Sequence, residues 1–263
     1  MSPPIVLVHG MWSTPATFTQ LRMRLEAAGH ATYAPMLPFH DRPASMPPAP
    51  ELGVASLADY IDFLVAEVAK LPGPVIIGGH SMGGFLAQAV AARTGATGLM
   101  LFAPAGSATT GRPAWSAVRT LGGVLTDMGW WRSPTRLDAK GAAYGIYNGV
   151  PADIADAELA AQTWDSGRVL FELSLPWLAK TDAARIDYTR LKMPALIVVG
   201  TSDRITVPAI ARATARALNS PIDYHELPGA GHWLWHGATG ERVAALALDW
   251  LGQFNGVANL ASV

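Results

Sequence analysis

The sequence predicts an α/β fold: a mostly or wholly parallel sheet of about six strands flanked by helices, carrying an inserted helical segment. Three observations carry this reading. Short apolar runs alternate with longer amphipathic ones, the rhythm of strands and crossover helices. Several of the short runs are apolar at every position, as strands buried on both faces require. Between Phe102 and Leu196 lie roughly ninety residues with no convincing strand, too long for a structureless connection in a compact domain.

The elements follow in order. Strands are expected at Ile5–Val8, Ala31–Ala34, Val75–Ile77, Leu99–Phe102, Leu196–Val199 and Ile222–Leu227. After Ser13-Thr14, Pro15 takes a first helical position. Phe18, Leu21 and Leu25 then mark one face, and Gly29 stops the helix. Ser56 and Asp59 form a capping-box pattern ahead of Leu57, Ile61, Leu64, Val68 and Leu71, and Pro-Gly-Pro at 72–74 ends that helix. Val243, Leu246, Trp250 and Phe254 line a last helix. Residues 41–53 read as an exposed, proline-stiffened loop. The expected division is a core of 1–104 and 191–263 with a helical insertion at 105–190. Trp115, Trp130, Trp131, Trp164 and Trp177 fall in the insertion with Tyr144 and Tyr147; these aromatics could roof an apolar pocket, or the tryptophans pack the insertion's own small core.

Composition narrows the function classes. A formal net charge of −1 with 15% charged residues provides no field for nucleic acid or anionic membrane. Cysteine is absent, which removes disulfides, thiolate metal sites and cysteine nucleophiles together. No window approaches a membrane span, and the N-terminal apolar run is too short for a signal peptide, so a cytoplasmic protein is expected. No metal-ligand, P-loop or dinucleotide motif appears, and no cofactor is expected.

Chemistry concentrates in Gly79-His80-Ser81-Met82-Gly83, a G-x-S-x-G pattern between a predicted strand and a predicted helix. A strand that turns sharply into a helix forces its serine into an unfavourable backbone conformation. The residues two before and two after are then pressed together, so glycine is needed at both. Ser81 is the candidate nucleophile, and it needs a base and an orienting acid. His232 lies in a loop between the last strand and last helix, at the carboxyl edge of the sheet where ligands gather. His236 is the fallback base. His30 and His40 fall in a helix-end turn and a surface-like loop, His225 lies within a strand, and the His80 side chain should point away from that of Ser81. Asp203, just past the carboxyl end of the preceding strand, is the acid that topology brings beside His232. The N–H of Met82, at a helix N-terminus, should help hold an oxyanion. The loop after His9-Gly10 can aim a second N–H at the site, with His9 itself structural. Trp12 and Trp233 flank these positions and suggest a hydrophobic or aromatic substrate group.

The four segments "VLVHGMW", "GGHSMGG", "VVGTSDRITVP" and "GAGHWLW" together resemble the α/β-hydrolase superfamily, in its Ser…Asp…His order. The resemblance covers nearly the whole chain outside the insertion. It implies a triad of Ser81, Asp203 and His232, oxyanion donors from the backbones of Met11 and Met82, and a variable cap around residues 105–190. The family often opens with a β-hairpin, whereas this sequence begins almost at the His-Gly strand, and "MLPFHDRPAS" stands in place of the common Asp-x-x-Gly-x-Gly turn. In both respects it is similar to small esterases related to plant methylesterases and hydroxynitrile lyases. Its long insertion is more similar to that of carbon–carbon hydrolases and general esterases. The reading is a serine hydrolase of hydrophobic small-molecule esters. The alternatives are a carbon–carbon hydrolase, hydroxynitrile lyase or thioesterase on the same residues, or a ligand-binding receptor with a vestigial triad.

Overall fold

Ile5–Val8 (β1) is buried at every position because strands flank it on both sides and helices cover the sheet. The computed structural model describes residues 2–43 and 45–260, with 254–260 described by backbone alone. From β1 the chain passes through a 3-10 turn at Pro15–Phe18, with Thr14 as its N-cap, into α1 (Thr19–Ala27). It then forms β2 (Thr32–Tyr33), α2 (Leu57–Ala69), β3 (Ile76–His80), α3 (Met82–Thr94) and β4 (Gly98–Phe102). The insertion follows with α4 (Trp115–Thr120), α5 (Gly122–Thr126), β5 (Pro134–Thr135), α6 (Ala139–Gly141), α7 (Ala152–Ala161), β6 (Asp165–Ser166) and α8 (Gly167–Ser174). A π-helical turn at Ala142–Ile146 continues α6. The core resumes with β7 (Ala195–Gly200), α9 (Pro208–Ala217), β8 (Ile222–Leu227) and α10 (Gly237–Leu260).

The six core strands run in the order β2-β1-β3-β4-β7-β8, and every neighbouring pair is parallel, as expected. Parallel pairing needs crossovers, and the helices between strands provide them. The capping box at Ser56 is present in full, the Ser56 hydroxyl accepting from Asp59 N while the Asp59 carboxylate accepts from Ser56 N. Val243, Leu246 and Trp250 are buried on α10; the side chain of Phe254 lies outside the described residues. No helix among the described residues is long and apolar enough to cross a membrane.

Four expectations need correction. β2 shrinks to two residues because it is an edge strand paired only to Ile5 and Val6. β3 extends through Gly78 and Gly79, which read as strand breakers but serve a close approach: a Cβ on Gly78 would lie 2.9 Å from Leu7 Cδ2. The 41–53 loop is not exposed throughout, since Leu52 and Gly53 are buried and a Cβ on Gly53 would meet the Ser133 carbonyl carbon at 2.6 Å. The insertion also holds strand structure, a short antiparallel pairing of β5 with β6.

Two apolar clusters result. One surrounds the sheet. The other joins Leu121, Val124, Trp130, Leu137, Ile146, Tyr147 and Leu170 of the insertion to Trp12 and Trp233 of the core. The underside of the insertion therefore rests on the two tryptophans that the sequence places beside the candidate site.

Candidate active site

Ser81 stands between β3 and α3 at φ 56°, ψ −122°, in a region that costs a non-glycine residue about 1–3 kcal/mol. The surrounding glycines make this turn possible. A Cβ on Gly79 would lie 2.1 Å from Gly83 O, and one on Gly83 would lie 1.9 Å from Val8 O. The two positions flanking the serine are thus pressed together, as the motif predicts. Backbone bonds lock the turn: Ser81 N donates to Phe102 O at 3.0 Å, and Ser81 O accepts from Ala105 N at 2.8 Å.

Asp203 follows β7 and His232 follows β8, and the parallel topology brings them together. His232 Nδ1–H donates to Asp203 Oδ2 at 2.7 Å, and both residues are buried. The other carboxylate oxygen, Oδ1, accepts from the amides of Ile205 and Thr206, each at 2.9 Å. Thr206 Oγ1 lies 2.8 Å from Ala103 O, 2.9 Å from Asp203 Oδ2 and 3.1 Å from His232 Nδ1. The carboxylate is fixed on both oxygens, so the imidazole carries its proton on Nδ1 and leaves Nε2 as a base.

One cavity gathers the rest. Ser81 and His232 line it with Gly10, Met11, Trp12, Ser13, His80 and Trp233 from the core and Ile146, Tyr147 and Gln162 from the insertion. Among the described residues the Ser81 hydroxyl makes no hydrogen bond to the imidazole; the two meet across this cavity. Of the predicted site residues, Met82 and Asp203 do not line it. Met82 opens α3 directly after Ser81, and Asp203 stands behind the imidazole.

His80 departs from expectation. Its ring lines the cavity with its centroid 4.6 Å from that of His232, and its Nε2–H donates to His232 O at 3.0 Å. Strand alternation would turn it away from Ser81, but alternation ends where the serine backbone enters the left-handed region. Burial, reinforced by the neighbouring His232, holds the His80 imidazole well below the usual histidine range, so it stays a neutral donor. His40 is buried, contrary to the surface-like reading, and His30, just past the end of α1, is buried as well. His236 is not among the cavity residues, and Asp203 is committed to His232.

The insertion's tryptophans do not line the cavity. Trp130 is buried in the second apolar cluster, whereas Trp115 is 82% and Trp177 72% exposed. Tyr147, one of the insertion aromatics expected to roof a pocket, does line it; Ile146 and Gln162 have no local pattern that marks them.

A model of the alpha/beta hydrolase family matches residues 5–253. No curated protein matches the chain. Solved structures share its fold at low identity. A monoacylglycerol lipase of Paleococcus ferrophilus is 22% identical with a TM-score of 0.68, over 95% of this chain and 96% of that one. A methylesterase from Arabidopsis is 15% identical with a TM-score of 0.70, over 95% and 99%. A pyrethroid hydrolase from Sphingobium faniae is 19% identical with a TM-score of 0.60, over 96% and 98%.

Proposed function

We propose, from the premise that the chain belongs to the alpha/beta hydrolase family, that it is a carboxylesterase-type serine hydrolase cleaving hydrophobic or aromatic esters through an acyl-enzyme. One observation carries this reading. A serine held at φ 56° in a glycine-hemmed turn borders the same cavity as an imidazole whose tautomer is set by a buried carboxylate.

The chemistry follows from these groups. In this reading His232 Nε2 accepts the proton of Ser81 Oγ as Oγ attacks the ester carbonyl. Asp203 holds Nδ1–H and stabilises the imidazolium that forms. The backbone N–H groups of Met11 and Met82 are the proposed donors to the tetrahedral oxyanion. Each such donor is worth about 2.7–4 kcal/mol in the transition state. The imidazolium then protonates the leaving alcohol, and a water activated by His232 releases the acid.

The lining supports the substrate class. Trp12, Trp233, Tyr147 and Ile146 supply the apolar wall, while Gln162 and Ser13 are its polar exceptions. The lipase, methylesterase and pyrethroid hydrolase with this fold carry names of ester-cleaving enzymes, in keeping with the same reading. The cavity is tight, about 20 Å³, room for little more than one water. Ile146, Tyr147 and Gln162 bring the insertion into the lining of this cavity, and we assign residues 105–190 the role of a cap over the site.

Turnover of short p-nitrophenyl esters by wild type and Ser81→Ala tests the proposal. Hydrolysis that disappears in a folded Ser81→Ala protein supports it. Equal turnover by both proteins, or tight ligand binding without turnover by wild type, refutes it.

A further inference from the structure

Behind the cavity lies a second buried polar cluster that the triad does not use. Its centre is Asp165, the first residue of β6 in the insertion, which has no exposed surface. Its Oδ1 accepts from Ser166 N at 2.6 Å and from Tyr60 Oη at 3.2 Å. Its Oδ2 accepts from Trp12 N at 3.0 Å and lies 3.1 Å from His40 Nε2. The His40 contact is an ion pair without hydrogen-bond alignment. His40 Nδ1 faces another acceptor, Pro38 O, at 3.0 Å. Burial works against a charge on His40, but Asp165 and the neighbouring backbone outweigh it and raise the imidazole above the ordinary histidine value, which pairs it with the Asp165 carboxylate between core and insertion.

The contact with Trp12 matters most. Trp12 has φ 58°, a conformation a bulky side chain rarely adopts, and it directly follows Met11. The insertion grips it at every polar group. Thr163 N donates to Trp12 O at 3.0 Å, Trp12 Nε1–H donates to Thr135 Oγ1 at 3.3 Å, and Trp12 N donates to Asp165. Thr135 and Asp165 are themselves register partners across the β5–β6 ribbon. The backbone that carries Met11 N–H is therefore held in a strained shape by side chains more than a hundred residues away.

We propose that Asp165 is a positioning residue for the oxyanion-binding loop: by anchoring Trp12 N–H it fixes the direction of Met11 N–H and makes that donor depend on a seated insertion. This rests on the serine-hydrolase reading above. Three hydrogen-bond donors and the His40 ion-pair contact converge on the carboxylate, two partners at each oxygen, and no neutral side chain of that size accepts at both ends. Replacement frees Trp12 to relax toward an ordinary backbone conformation, and Met11 N–H swings with it. A shift of about 1 Å in such a group costs on the order of a hundredfold in rate.

The test compares wild type with Asp165→Ala and Asp165→Asn in p-nitrophenyl ester turnover. It also measures inhibition by an alkyl trifluoromethyl ketone, whose hemiketal on Ser81 carries a real oxyanion. The expected result for Asp165→Ala is a loss in kcat of about ten- to a hundredfold, with KM within about threefold and ketone affinity weakened in proportion to kcat. Asp165→Asn, which can satisfy one end only, should show a smaller loss of the same kind. It carries the test if the alanine variant does not fold. A rise in KM with kcat and ketone affinity intact would mean that Asp165 merely seats the insertion, and it overturns the proposal. So would wild-type values throughout. If wild type itself neither turns over esters nor takes up the ketone, the hydrolase reading fails, an outcome separate from either of these.

Discussion

His232 reaches Asp203 across 2.7 Å through the one carboxylate oxygen that backbone amides leave open to it. That division of labour makes the pair directional. In Asp203→Asn the amide oxygen is claimed by the Ile205 and Thr206 N–H groups, so its NH2 must face His232 Nδ1. The imidazole is then forced into the tautomer that places the proton on Nε2, where a base is needed. We expect kcat to fall by about four orders of magnitude with KM and folding little changed. Ester kinetics and a melting curve on the same sample check this, and a loss under tenfold would contradict it.

Buried histidines set the pH response of the fold. Burial, with help from the charge on His40, lowers His9 to about 3, and burial beside His232 holds His80 low as well. His9 is neutral in the structure, accepting from Leu37 N through Nε2 and donating from Nδ1 to Gly10 O. The unfolded chain takes up protons that these folded sites refuse. Their stabilisation is therefore complete above about pH 6.5 and is lost as pH falls toward 3. His40 works in the other sense. Burial alone would lower it, but Asp165 and the Pro38 carbonyl outweigh that and raise it. Its contribution is full in acid and fades as pH rises through its raised value. Melting temperatures measured from pH 3 to 8 should show an acid limb that is shallower in His9→Asn than in wild type. Superimposable acid limbs would remove His9 from this account.

The serine turn stores strain. Alanine at position 81 keeps the unfavourable φ of 56°, whereas glycine adopts it freely. Ser81→Gly should be inactive yet more stable than Ser81→Ala by about 1 kcal/mol, the lower end of the cost of such a conformation. Urea denaturation of the two variants decides, and equal midpoints would mean that the turn is relaxed.

Much of this molecule was legible locally. Ile5–Val8 and Ile222–Leu227 form strands at the predicted residues, and the Ser56–Asp59 box caps its helix, because each signal lies within a few adjacent residues. Ser81, Asp203 and His232 could be proposed together because a parallel sheet sends all its strand ends to one edge, and order along the chain then selects the loops. What escaped has no local signature. Asp165 meets His40 and Trp12 over separations of more than a hundred residues, and nothing in "QTWDSG" distinguishes a buried hub from a turn aspartate. His80 was misdirected for a different reason: alternation holds along a strand and stops at the first residue with positive φ. Gln162 and Ile146 reach the cavity through how the insertion docks on Trp12 and Trp233, a packing outcome that periodicity does not encode, whereas Tyr147 belongs to the aromatics the sequence offers as a pocket roof.

The most direct test of the central claim is peptide mapping of wild type and Ser81→Ala after reaction with a fluorophosphonate. The account predicts one adduct per wild-type chain, on the peptide containing Ser81, and none in the variant. An adduct on another serine, or an ester-hydrolysing wild type that stays unlabelled, would contradict it.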